Sequence, residues 1–168
     1  PGQSVYFQTI PIDFAKQFKG HGWVGIRFQI DPDEDYNDIS IHIRFKETDA
    51  RLQQETLGVL GVNLIYGAFY KYNDPKKLLR YLYDHLDKDQ LEIDTINFSG
   101  PRFAEVDNRL MSLQLVKNGM TDAVMFDPEG KNILPAAILY KKNILALRGS
   151  FRPVTSVNMD MYEKSLKM

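Results

Sequence analysis

Cysteine is absent from all 168 residues. Disulfides, zinc–thiolate sites and thiol nucleophiles are excluded together, and a reducing, cytoplasmic home is the expectation that follows. Histidine is scarce: His21, His42 and His85 are the only three. No pair stands at the i, i+4 spacing of a helical metal motif, and none lies downstream of His85 to serve a serine as base, so neither a metal nor a catalytic triad is expected. An excess of charge of one sign is missing as well. With 21 basic and 22 acidic residues the net charge is −1, which gives no overall pull on nucleic acid or anionic lipid; any anion site must be local. Long hydrophobic runs are lacking too. The longest, Leu57 to Tyr70, is interrupted by Asn63 and three glycines and falls short of the roughly 20 residues that cross a bilayer. No basic stretch followed by an apolar one opens the chain, so no signal peptide is expected.

What is present reads as a globular domain. Hydrophobic residues at 43% and charged residues at 26% allow a core of ordinary size, and a single α/β domain over 1–168 is the expectation. The chain starts at Pro1 without methionine and ends at Met168 within a helix expected from about Asn158. That pattern suggests a piece of a longer protein.

The organising stretch runs from Leu91 to Phe126. Leu91–Ser99 has the β-branched and aromatic residues of a strand and stops at Gly100-Pro101. Asp107 can cap a helix with Val106, Leu110, Leu113 and Val116 on one face, and Gly119 supplies its stop. Ala123–Phe126 then reads as a buried strand, and the three together predict a right-handed parallel strand–helix–strand unit. Upstream, Ser4–Ile10 reads as a first strand ended by Pro11; Val5–Gln8 resembles the end of a tag-protease site, but the preceding residues do not match. Gly22–Ile30 and Ile39–Phe45 predict an antiparallel hairpin, the second strand with Ile39, Ile41, Ile43 and Phe45 on one face and Ser40, His42 and Arg44 on the other. The acidic connection between them lacks the glycine and flanking helices of a calcium loop and reads as a solvated turn. A helix starts at Thr48-Asp49; its continuation through Leu57–Phe69 is a helix by length, though periodicity alone leaves a buried strand open. Gly58 and Gly61 would then permit close approach of another backbone. Asn73-Asp74-Pro75 opens a further helix, bearing Leu78, Leu79, Leu82 and Leu86, that ends near Asp87. Asp127–Gly130 is a turn, Pro135–Tyr140 a short helix or a strand, and Ile144–Leu147 a buried strand. The predicted fold is α/β with a mixed sheet, an N-terminal antiparallel hairpin and a C-terminal parallel unit.

Ligands in open α/β sheets gather beyond the carboxyl ends of parallel strands. Two such ends are legible: Ser99, Gly100, Arg102 and Arg109 at the first, Arg148, Ser150 and Arg152 at the second. If their strands are parallel neighbours, the arginines and hydroxyls share a crevice suited to phosphate or carboxylate. No phosphate loop, nucleophile elbow or cofactor motif accompanies them, and no catalytic residue or cofactor can be named. The leading expectation is a domain binding a small anionic ligand, a nucleotide or phosphorylated metabolite. The alternatives are an enzyme acting on a phosphorylated small molecule, or an assembly module whose partner is the rest of a longer chain or a second copy.

Leu57–Phe69, Arg109–Phe126 and Leu139–Thr155 together resemble a family of long bacterial proteins that carry the labels TonB-dependent receptor or nicotinate-nucleotide adenylyltransferase. The residues support neither label. A TonB-dependent receptor implies a many-stranded outer-membrane barrel, whereas the centre of this chain is helical. An adenylyltransferase implies a His-x-Gly-His motif that His21-Gly22-Trp23 does not supply. What the resemblance implies is one domain of a larger soluble protein.

Overall fold

The computed structural model describes residues 4–9 and 18–167. Strands β1 (Ser4–Thr9), β2 (His21–Phe28), β3 (Asn37–Phe45) and β4 (Leu91–Ser99) form one sheet in that order, each antiparallel to its neighbour. The alternation of β3 sets the β2–β3 register: Val24 faces Ile41 and Ile26 faces Ile39, all four no more than 2% exposed. A slip of one residue would turn that apolar set to the opposite face. Val5–Gln8 pair with Arg27–Val24 within β1 and β2. The expected end of the first strand at Ile10-Pro11 lies outside the described residues.

Three helices cover the apolar face. Asp49 caps α1 (Ala50–Tyr70) by accepting from the Leu52 N–H, so the apolar run that left helix and strand open is a helix. Its Leu57, Leu60, Leu64 and Ala68 recur at helical spacing in the same core as the sheet's Ile and Phe side chains. The close approach expected at Gly58 occurs elsewhere: Gly58 has open space around it, whereas a Cβ on Gly67 would stand 3.1 Å from Leu78 Cγ. Leu78 belongs to α2 (Pro75–Tyr81), which Asp74 caps and whose first position is proline. α2 ends at Tyr81 rather than near Asp87. Leu82 and Asp84 present their carbonyls to Asn63 Nδ2 at 3.1 and 2.6 Å, and His85 takes a left-handed conformation, φ 55°.

The expected parallel unit is not formed. β4 lies antiparallel to β3, and after α3 (Asn108–Lys117) only Met125–Phe126 is extended, as β5, pairing antiparallel with β6 (Asn132–Ile133). Gly130, at φ 81°, closes the Asp127–Gly130 turn between them. Closing a loop of a few residues costs less entropy than reaching a distant strand, so the run pairs with its own continuation. α3 also turns another side to the core than Leu110 and Leu113 predict. Those two are 58% and 49% exposed, and Met111, Ser112 and Leu115 are buried instead. Apolar residues occur on both sides of this helix, so their spacing could not choose between them.

The chain divides into two compact units, Pro1–Leu134 and Pro135–Met168. The second contains α4 (Pro135–Leu139) and α5 (Ser156–Ser165), the latter begun by a Thr155–Asn158 capping box. Pro135–Leu139 is thus helical. Ile144–Leu147, expected as a buried strand, is irregular, with Ile144 and Leu145 exposed. A short apolar run gains a strand's stability only from a ladder partner, and it has none among the described residues. The fold is therefore α/β in content with an antiparallel sheet, and among the described residues no helix is long and apolar enough to cross a membrane.

Candidate functional site

The arginines expected to hold an anion at the end of β4 are engaged by carboxylates. Arg102 bonds Asp31 at 2.7 Å and Glu34 at 2.5 Å and lies 5.7 Å above the Tyr72 ring; the hydrogen bond to Glu34 holds its guanidinium above the ordinary value. Arg109 bonds Asp107 at 2.8 Å. That hydrogen bond brings the Asp107 carboxyl down to about 2. The acidic connection is thus an ion-pairing segment, since Asp38 also binds Arg27 at 2.7 Å. Ser99 is exposed at the strand end. Gly100 has a structural reason to be glycine: φ is 106°, and a Cβ would lie 2.5 Å from the Tyr36 carbonyl. Arg148, Ser150 and Arg152 are exposed in an irregular part of the second unit. The parallel strand meant to bring them beside Ser99 is not present.

The sheet face opposite the core carries a different cluster, beside an irregularity of the β3–β4 ladder. Ile41 pairs with Ile96, His42 with Thr95 and Ile43 with Ile93, so Asp94 is an extra residue, a β-bulge beside His42. Ile93 and Ile96 both remain in the core, which places Asp94 and Thr95 together on the other face. Asp94 Oδ1 lies 2.8 Å from His42 Nδ1, and His42 Nε2 lies 3.3 Å from His21 Nδ1 on β2. Trp23 packs edge-on against His42, centroids 5.2 Å apart. His42 is buried at 6% exposure, while His21 is exposed.

These contacts set the tautomers. A carboxylate accepts only, so His42 Nδ1 carries a hydrogen and donates to Asp94. With both rings neutral, its Nε2 accepts a hydrogen from His21 Nδ1, and His21 Nε2 carries the lone pair.

His21 also lines a cavity of about 370 Å³ with Lys19, Arg44, Phe45, Lys46 and Glu92. The register explains the grouping, because His21 pairs with Arg44 and Arg44 with Glu92 across the three strands. Gln53 of α1 fixes the chain at Lys19 by donating to the Phe18 carbonyl at 2.6 Å, and the Phe45 N–H donates to the Gly20 carbonyl at 2.8 Å. Lys46 Nζ donates to the Lys88 carbonyl, and Glu92 accepts from the Thr121 hydroxyl at 2.6 Å. Lys19 and Arg44 have no carboxylate partner among the described residues. Three cations and one carboxylate line the cavity, which gives it the sign for an anion. A second hollow of about 340 Å³ has the opposite sign, with Asp74, Glu105 and Asp107 against Lys76.

Of this constellation, the alternation of β3 exposed only His42 and Arg44 in advance. His21 lies outside the predicted hairpin strand by one residue, and nothing in the spacing of Asp94 pointed to His42. The class these features define is an α/β domain with an antiparallel sheet, helices on one face and a histidine-bearing basic cavity on the other. Comparison with family models, curated proteins and solved structures finds no match for this chain.

Proposed function

We propose that the domain binds a small anionic ligand, of the phosphate or carboxylate class, in the cavity of Lys19, His21, Arg44 and Lys46. The observation that carries this reading is the convergence of Lys19 and Arg44 on one cavity without a carboxylate partner among the described residues. A guanidinium offers a planar fork to two oxygens, and two ammonium groups beside it supply charge without fixing orientation. Functional pockets run from about 300 to 1,000 Å³. A cavity of about 370 Å³ is at the small end, which suits a phosphorylated metabolite or one nucleotide.

Calorimetric titration with inorganic pyrophosphate at low ionic strength tests it. Arg44→Gln should weaken binding at least ~10-fold, or about 1.4 kcal/mol, while the double variant Arg148→Gln with Arg152→Gln should bind as the parent does. The reverse result would move the site to the end of the irregular segment. A second reading, assembly with another chain, draws on one observation: no residue from 135 to 167 is buried, and Val157, Met161, Tyr162 and Leu166 of the last helix and its end are exposed. Sedimentation that does not vary with concentration would remove self-association from it.

A further inference from the structure

We infer that the cavity hydrolyses a phosphate diester, with His21 as the catalytic base and His42 and Asp94 as the residues that position it. The inference rests on the cavity being the anion site. It deepens that reading because anion binding needs only the cations, and the Asp94–His42–His21 chain is not required for it. Asp94 Oδ1, His42 and His21 Nδ1 are joined by contacts of 2.8 and 3.3 Å, and the chain ends at His21 Nε2, which has no hydrogen-bond partner among the described residues, on the residue that lines the cavity. Asp94 stands at a bulge that interrupts the β3–β4 ladder beside His42. Bulges gather beside active sites, where they re-aim a side chain.

The chemistry follows from that order. His21 Nε2 takes a proton from a water as the water oxygen forms a new bond to phosphorus. The bond from phosphorus to the ester oxygen breaks, and that oxygen leaves with the electron pair. The imidazolium formed at His21 keeps its Nδ1 hydrogen on His42, whose own hydrogen rests on the Asp94 carboxylate; His21 then returns the proton to solvent. Arg44, Lys19 and Lys46 face the charge that grows on the non-bridging oxygens. A diester fits better than a monoester, because transfer from a monoester passes through a loose transition state that asks little of a base. Attack on a diester requires an activated nucleophile.

The experiment uses methyl p-nitrophenyl phosphate, whose p-nitrophenolate leaves without needing a proton, together with pyrophosphate binding on the same samples. The chain should release p-nitrophenolate, and His21→Ala should lower kcat by ~10²–10⁴-fold, the usual share of a general base, a loss at least ~10-fold larger than its loss of pyrophosphate affinity. Asp94→Asn and His42→Gln should lower kcat with KM within ~3-fold and displace the acid limb of the pH–rate profile, with folding checked by circular dichroism. Pyrophosphate binding without hydrolysis by the parent chain overturns the activity and leaves the anion site standing. Absence of binding overturns both. Hydrolysis that survives His21→Ala, or Asp94→Asn and His42→Gln profiles that only scale down without displacement, overturns the assigned roles.

Discussion

Asn63 is the one strongly polar residue in the apolar stretch of α1, and replacing it should show how the end of α2 is held. Its side chain is 5% exposed, and its single amide nitrogen donates to two carbonyls, Leu82 at 3.1 Å and Asp84 at 2.6 Å. Asn63→Leu keeps the branching and heavy-atom count and removes both bonds. An orphaned buried acceptor costs about 1–3 kcal/mol, and a carbonyl that can reach water costs less. Leu82 is fully buried while Asp84 is half-buried, so the total should be about 2–4 kcal/mol. With a urea dependence of about 2 kcal/mol per molar, the midpoint should fall by roughly 1–2 M. Trp23, the only tryptophan, reports the sheet's unfolding by fluorescence. Asn63→Asp adds a sign test. At pH 7 its carboxylate would face two carbonyl oxygens with no hydrogen to offer, which raises its folded pKa above the unfolded ~3.9. The raised value means that stability is retained below the unfolded pKa and lost as pH rises through the folded one. Asn63→Asp should therefore be less stable than Asn63→Leu at pH 7 and recover on acidification. A midpoint within ~0.3 M of the parent for Asn63→Leu, at unchanged slope, would refute the proposed anchoring.

Two further substitutions probe the frame of the sheet. Gly100→Ala forces a side chain into a left-handed backbone and sets its Cβ 2.5 Å from the Tyr36 carbonyl; a loss of about 2–4 kcal/mol in urea unfolding is expected, and a loss under about 1 kcal/mol would refute the tight approach. Tyr83 donates its hydroxyl to the Leu91 carbonyl at 3.0 Å, and burial pushes its phenol well above the ordinary value. Because the neutral form is the one the fold keeps, that contribution is complete below the unfolded pKa of about 10 and is lost as pH rises past it. Alkaline unfolding followed by circular dichroism should therefore set in at higher pH for Tyr83→Phe, and identical alkaline midpoints would refute the assignment.

The N-terminal half was legible because its signals are local and strong. Ile39, Ile41, Ile43 and Phe45 alternate without a break, and Asp49 and Asp74 stand where caps must stand, so the hairpin and two helices follow from neighbours in sequence. The C-terminal half failed where partner choice mattered. Ala123–Phe126 and Ile144–Leu147 are apolar enough to be strands, but apolarity does not say which strand is alongside. The Asp127–Gly130 turn gave the first run a nearby partner in Asn132-Ile133, and the second has none among the described residues.

The arginine-rich strand ends show why composition at a strand terminus is weak evidence for a site. Arg102 and Arg109 look available in sequence, yet Asp31 and Glu34, about 70 residues from Arg102, and Asp107, two before Arg109, bind them. Lys19, Arg44 and Lys46 look no different along the chain. What distinguishes them is that β2, β3 and β4 bring them to one cavity that holds a single carboxylate. The histidine chain has the same logic at finer scale. An unbroken β4 ladder would keep strict alternation from Ile93, place Thr95 and not Asp94 on the core side, and leave Ile96 facing away from it. The extra residue lets Ile93 and Ile96 both stay buried while Asp94 and Thr95 share the polar face. The extra position therefore keeps Ile96 in the core, and Asp94, on the polar face beside it, orders His42 and through it His21.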